Sequence, residues 1–151
     1  LVDTFSSAKQ FPERLYAWFA TALLTVLPKS TQSKIVVNGY EKLDKPRVAK
    51  YFESRLEAIP KDALIEMRRA VNRFDILDRL DEIESPTLVL VGDGFGQKAI
   101  HMAERTAEAI PNAELQILEG GGDPSNLLVP QAFNQAVFSF LEEEDYQGDR
   151  S

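Results

Sequence analysis

The chain has 151 residues, 44% of them hydrophobic and 27% charged, which suits one soluble globular domain with a core of its own. A net charge of −7, with no run of Lys or Arg to offset it, argues against nucleic acid and anionic membrane as natural partners. The absence of cysteine excludes disulfides and Cys-His metal sites, and one histidine cannot make a His-rich site. No metal or cofactor is therefore expected, and the expected compartment is the cytoplasm.

The opening "LVDTF" is apolar, then polar, and reads as the end of a strand. Together with the polar link that follows it forms a first segment, residues 1–10. A helix is expected from Phe11 to Leu27. Pro12 suits its first turn and Pro28 stops it. Trp18, Phe19, Ala22, Leu23 and Val26 recur at three- and four-residue spacing, which predicts a strongly apolar face turned to the core. The apolar stretch Leu15 to Leu27 is shorter than the roughly 20 residues of a membrane span. A short "KIVV" run is the one strand-like stretch of the first half, and Gly39 with its polar neighbours marks a turn. A helix follows over Pro46–Ala58, and the pattern restarts at Leu64, Met67, Val71 and Phe74. Residues 11–75 thus read as a helical region.

The character changes at Ser85. "SPTLVLVGDGFG" sets an unbroken apolar run between a Pro and a Gly-rich turn, the pattern of a strand buried on both faces of a parallel sheet. Ala99–Ile110 reads as a helix, "ELQILEGGG" as a second strand, and Pro130–Glu144 as a closing amphipathic helix with Phe133, Val137, Phe140 and Leu141 inward. Strand, crossover helix and strand make a βαβ unit. Residues 76–144 are therefore an α/β segment with a short parallel sheet, and residues 145–151 a frayed tail.

Two stretches, "RFDILDRLDEIESPTLVLVGDGFG" and "AEAIPNAELQILEGGGDPSNLLVPQAFNQAVFSFLEE", resemble the C-terminal part of an α/β-hydrolase-fold protein. Residues 11–72 are similar, more loosely, to the family's helical cap. "LVDTF" resembles the end of the strand from which the cap departs. The resemblance implies a Ser-His-acid triad: a Ser on a Gly-x-Ser-x-Gly elbow attacks a carbonyl, His takes its proton, and the acid orients the His. No Gly-x-Ser-x-Gly occurs in the chain, which starts at Leu1 rather than Met. The elbow is expected upstream, in a longer protein. The family's acid position falls on Phe95 and its His position on Asp123. Asp93 is a nearby loop acid, read as an acceptor of backbone N–H bonds. Asp123 is expected to be a structural carboxylate, held ionised by N–H groups of the loop Pro124 to Leu128, with its pKa below the ordinary value. His101 falls on the crossover helix and is expected at the surface. No catalytic residue is assigned.

Gly92, Gly94 and Gly96 raise a dinucleotide-binding turn as a rival, but the third spacing of Gly-x-Gly-x-x-Gly fails. Three functions remain. The first is a non-catalytic domain binding a small apolar molecule, with Tyr16, Trp18, Phe19, Phe52 and Phe95 near the pocket. The second is part of an active ester or amide hydrolase whose nucleophile lies upstream. The third is an interaction module pairing through an exposed sheet edge. Self-association is expected in any case, as a dimer built by strand pairing, by exchange of cap helices, or by both.

Overall fold

The computed structural model describes residues 1–4, 6–7 and 13–148, without the side chains of Glu13, Arg14, Tyr16, Phe95 and residues 143–148. Two compact units result, Leu1–Ser6 with Ile76–Ser151, and Ser7–Asp75.

The first unit is built on the strand β1, Thr87–Gly92, which pairs in parallel with β2, Ala113–Leu118, in register from Thr87 opposite Ala113 to Gly92 opposite Leu118. The unbroken apolar run of β1 is explained by what covers it. Val89 and Val91 pack on Ile100 and Ala103 of the helix α5, Gln97–Glu108. Leu88 and Leu90 pack with Leu118 on Ala136, Phe133, Val137 and Phe140 of the last helix, Pro130–Gly148. Both faces are buried, as a strand at the centre of a parallel arrangement requires.

The amino-terminal segment lies along the other side of β1. Val2 bridges Leu90 in parallel, the Leu1 ammonium donates to the Leu88 carbonyl, Leu90 N–H donates to the Leu1 carbonyl, and Asp3 N–H to the Leu90 carbonyl. The stub read from "LVDTF" is thus a third strand position. Phe5 lies outside the described residues. Ser6 is buried, accepts a hydrogen bond from the Thr106 hydroxyl of α5, and takes Ile76 N–H on its carbonyl.

The second unit is four helices: α1 Glu13–Val26, α2 Lys29–Lys42, α3 Pro46–Ala58 and α4 Lys61–Arg73. Here α1 packs on α4 and α2 on α3. Two expectations fail. The "KIVV" run is not a strand and Gly39 is not a turn, because α2 runs through both. Ile35, Val36 and Val37 favour extended backbone locally, but packing on α3 decides the matter. Gln32, buried on α2, donates to the Leu24 and Leu27 carbonyls and so satisfies the open end of α1. The apolar face of α1 is also not core: Trp18 is 62%, Phe19 58% and Val26 79% exposed. What α1 turns onto α4 is instead its smaller residues, Ala17, Thr21 and Thr25, through hydrogen bonds described below.

In the first unit the last helix continues past Glu144 to Gly148. Leu141, expected inward, is half exposed.

Candidate functional site

The C-terminal ends of the amino-terminal segment, β1 and β2 converge, as the ends of parallel strands do, and each carries an aspartate: Asp3, Asp93 and Asp123. Glycines bring the loops together. Gly94 N–H donates to the Gly121 carbonyl at 2.8 Å, and a Cβ on Gly94 would stand 2.5 Å from that oxygen. Gly92 touches the same stretch of backbone. Of the three glycines that raised a nucleotide-binding turn, Gly92 and Gly94 thus make room for the neighbouring loop, while a Cβ on Gly96 would meet nothing within 4 Å.

Asp93 Oδ1 accepts the Gly120 N–H at 2.8 Å, tying the turn after β1 to the turn after β2. Gly120 has φ 68°, a left-handed conformation that glycine adopts without a Cβ penalty. Phe95 closes a short 3-10 turn, Asp93–Phe95, and its side chain lies outside the described residues.

The network at the centre belongs to Asp3. Its Oδ2 accepts Ser125 N–H at 2.6 Å, and its Oδ1 accepts the Ser125 hydroxyl at 2.8 Å and Gly92 N–H at 3.3 Å. Ser125 is fully buried, and its hydroxyl also lies 2.9 Å from the Gly122 carbonyl. Asp3 sits at φ 44°, a region that Asp tolerates better than most residues.

Asp3 thus fixes the loop after β2. The expected lowering of the Asp123 pKa is overturned. The Asp123 carboxyl is pushed above its ordinary pKa, first by burial and then by the nearby Asp3 carboxylate. Both causes disfavour the charged form. In the triad a carboxylate faces an imidazole and stabilises its positive charge. Asp123, which the resemblance sets at the imidazole's place, has a like charge nearby.

His101 lies on α5, exposed, with Nδ1 3.4 Å from Glu104 Oε2 one turn along the same helix. Among the described residues no group of three His, Cys, Asp or Glu side chains could hold a metal ion, and no helix is long and apolar enough to cross a membrane.

Of the pocket candidates, Trp18, Phe19 and Phe52 have described side chains. Trp18 lines a cavity of about 470 Å³ between α1 and α4, with Ala17, Thr21, Arg69, Asn72 and Arg73. Phe19 meets Trp18 edge-on at 5.0 Å, and Phe52 stacks on Tyr40 between α3 and α2. The Tyr16 side chain lies outside the described residues. Sequence reasoning missed Asp3 and the two arginines. An acid at the end of an apolar stub was the available signal for Asp3. For the arginines it was their one-turn spacing on α4.

Comparison with known proteins agrees with this architecture. No family model matches the chain. A RutD protein of Pseudomonas savastanoi pv. phaseolicola, named as a carbamate hydrolase, is 34% identical over 80 residues, 53% of this chain and 31% of its own length. The polyketide synthase ThaQ of Burkholderia thailandensis is 35% identical over 109 residues, 66% of this chain and 5% of its own. Among solved structures, a hydrolase from Pseudomonas aeruginosa superposes with TM-score 0.72 at 26% identity, covering 93% of this chain and 54% of that one. An α/β-hydrolase enzyme from a deep-sea metagenome library superposes with TM-score 0.65 at 16% identity, covering 93% of this chain and 54% of that one. The chain belongs to the α/β-hydrolase fold and carries its C-terminal portion. It spans about a third of the length of the RutD relatives it matches.

Proposed function

We propose that this chain is a non-catalytic module of the α/β-hydrolase fold that binds a small molecule. The observation that carries the reading is Asp123 at the base position with the Asp3 carboxylate nearby. A hydrolytic base must take a proton from a Ser hydroxyl and then hold it as a cation that the acid stabilises. Asp123 can only pass from anion to neutral acid, and its neighbour's oxygens already serve Ser125 and Gly92. Phe95 at the acid position points the same way. The polyketide synthase relative, in which the similar stretch is 5% of the whole, supports the reading of a module within longer chains. The cavity beside Trp18 lies within the 300–1,000 Å³ range usual for small-molecule sites.

The expected result is turnover of p-nitrophenyl acetate no faster than a heat-denatured control, and no gain from Asp123→His. Turnover well above that control, lost in Asp123→Asn, would show an active centre and support instead the hydrolase reading suggested by the RutD name.

A second reading, self-association, rests on the amino-terminal segment. Leu1 and Asp3 bond to β1, so the Val2 peptide groups between them face the opposite way, as alternate residues of a strand do. Beside that edge runs a groove of about 470 Å³ with walls that include Leu1, Val2, Ile83, Leu88, Leu90 and Phe140. An edge of this kind is a template for another strand. A two-fold dimer burying more than about 1,000 Å² is expected. Sedimentation should give twice the chain mass at tens of micromolar, and Val2→Pro should return it to monomer, since the Val2 amide makes no bond to β1. A wild-type monomer at that concentration rejects the dimer.

A further inference from the structure

The cavity between α1 and α4 has a chemistry that the apolar expectation for the ligand does not explain. Its α1 wall is Ala17, Trp18, Thr21, Ala22 and Thr25, and its α4 wall is Arg69, Asn72 and Arg73. Among the described side chains no carboxylate lines it, in a chain whose net charge is −7. The two arginines are four residues apart, and on a helix that spacing puts them on one face, one turn from each other. Between them Asn72 locks the wall in place: its Nδ2 donates to Thr21 Oγ1 at 2.7 Å and to the Ala17 carbonyl at 3.1 Å. Lys61, at the start of α4, donates to the Thr25 carbonyl at 2.8 Å. The helices are thus tied at both ends of the cavity by polar bonds rather than by side chains filling it. Arg69 commits one terminal nitrogen to Glu66 at 2.6 Å, a pair exposed on both sides and so weakly held. A guanidinium carries five N–H donors, so that pair leaves capacity for a second anion.

We infer that this cavity binds a small organic anion, a carboxylate on a flat apolar body, with Arg69 and Arg73 on the carboxylate and Trp18 against the ring. Guanidinium and carboxylate match in a planar, two-bond geometry that a Lys ammonium does not reproduce. The indole supplies a flat apolar wall, and Ala17 and Ala22 leave the width for a ring. Thr21 is already committed to the Ala17 carbonyl and to Asn72, so the remaining polar capacity of the site is concentrated on the arginines. The inference rests on the small-molecule reading above and names the ligand class.

Trp18 is the single tryptophan of the chain, so its emission reports occupancy directly. The probe is phenylacetate, and its neutral twin is 2-phenylethanol. Excitation at the red edge of indole absorption avoids both. Phenylacetate should change Trp18 emission saturably, and 2-phenylethanol should bind at least about tenfold more weakly, the loss expected when one charge-assisted contact goes. Arg69→Gln and Arg73→Gln should each weaken phenylacetate by about the same factor and leave 2-phenylethanol unchanged. Arg68→Gln, off the cavity, should alter neither. These side chains are at the surface, and far-ultraviolet dichroism of each variant checks that the helices persist. Equal binding of the two probes, indifferent to the arginines, would overturn the anion assignment and leave an apolar small-molecule site. No saturable response to either probe would overturn both.

Discussion

Gly92→Ala is expected to unfold this chain at physiological temperature, or nearly so. A Cβ on Gly92 would overlap the Gly121 carbonyl carbon and the Gly122 amide nitrogen, and would lie 2.5 Å from the Gly121 oxygen. Every atom in the way is backbone, so no side chain can rotate aside. Neither backbone is free to move. Gly92 is fixed by its pairing with Leu118, and Gly121 by the hydrogen bonds it exchanges with Gly94 and Leu118. Ordinary overpacking costs about 1–3 kcal/mol, and a clash with two fixed backbones belongs above that range, at about 4 kcal/mol or more. Against a total stability of about 5–15 kcal/mol that is most of the margin. Gly39 is the control. Nothing lies within 4 Å of a Cβ there, and it sits inside α2. Gly39→Ala should therefore stabilise by about 0.5–1 kcal/mol. Urea unfolding of the two variants should move the midpoint in opposite directions. A Gly92→Ala midpoint near that of the wild type would mean that the two loops are not in contact.

The contrast also shows what a sequence discloses. The turn after β1 and the turn after β2 were both legible as Gly-rich, because glycine marks local backbone freedom. That one turn needs its glycine because the other passes beside it is a long-range fact with no local mark. The same division runs through the chain. β1 was legible because an unbroken run such as "TLVLV" has few other uses, and α3 because Pro46 and a repeating apolar face mark it out. α2 was hidden. Its β-branched triplet and its glycine both vote locally against a helix, and the vote that prevails comes from α3. Trp18 and Phe19 mislead in the opposite sense: their spacing reports one apolar face and does not report what that face meets. For Asp123 the expected lowering of the pKa fails, because burial and the Asp3 carboxylate raise it. The Asx-type turn expected there is local, whereas the carboxylate that holds Ser125 comes from a residue 122 positions away.

That residue gives the second large effect. Asp3→Ala should destabilise the first unit by about 2–4 kcal/mol. The carboxylate accepts hydrogen bonds from Ser125 N–H, the Ser125 hydroxyl and Gly92 N–H. Hydrogen bonds to a charged group are worth about 1.5–3 kcal/mol each, and a buried donor left unpaired costs about 1–3. The Ser125 hydroxyl can turn wholly to the Gly122 carbonyl, so the cost falls chiefly on the Ser125 amide, in a residue with no exposed surface. Alanine also tolerates φ 44° less well than aspartate. Asp3→Asn keeps an oxygen for the Ser125 amide and is compatible with that backbone, so it should cost clearly less. Both variants remove the like charge near Asp123. In the wild type the folded pKa of Asp123 is raised, so its contribution to stability is fully present below 3.8 and is lost as pH rises through the folded value. Without Asp3 the Asp123 carboxyl should titrate at lower pH than in the wild type, yet still above 3.8, because burial is the larger cause and remains. Carbon-detected titration of the Asp123 carboxyl in wild type and Asp3→Asn measures this directly. An unchanged midpoint would show that the two carboxylates do not sense each other, and the electrostatic argument against Asp123 as a base would fail with it.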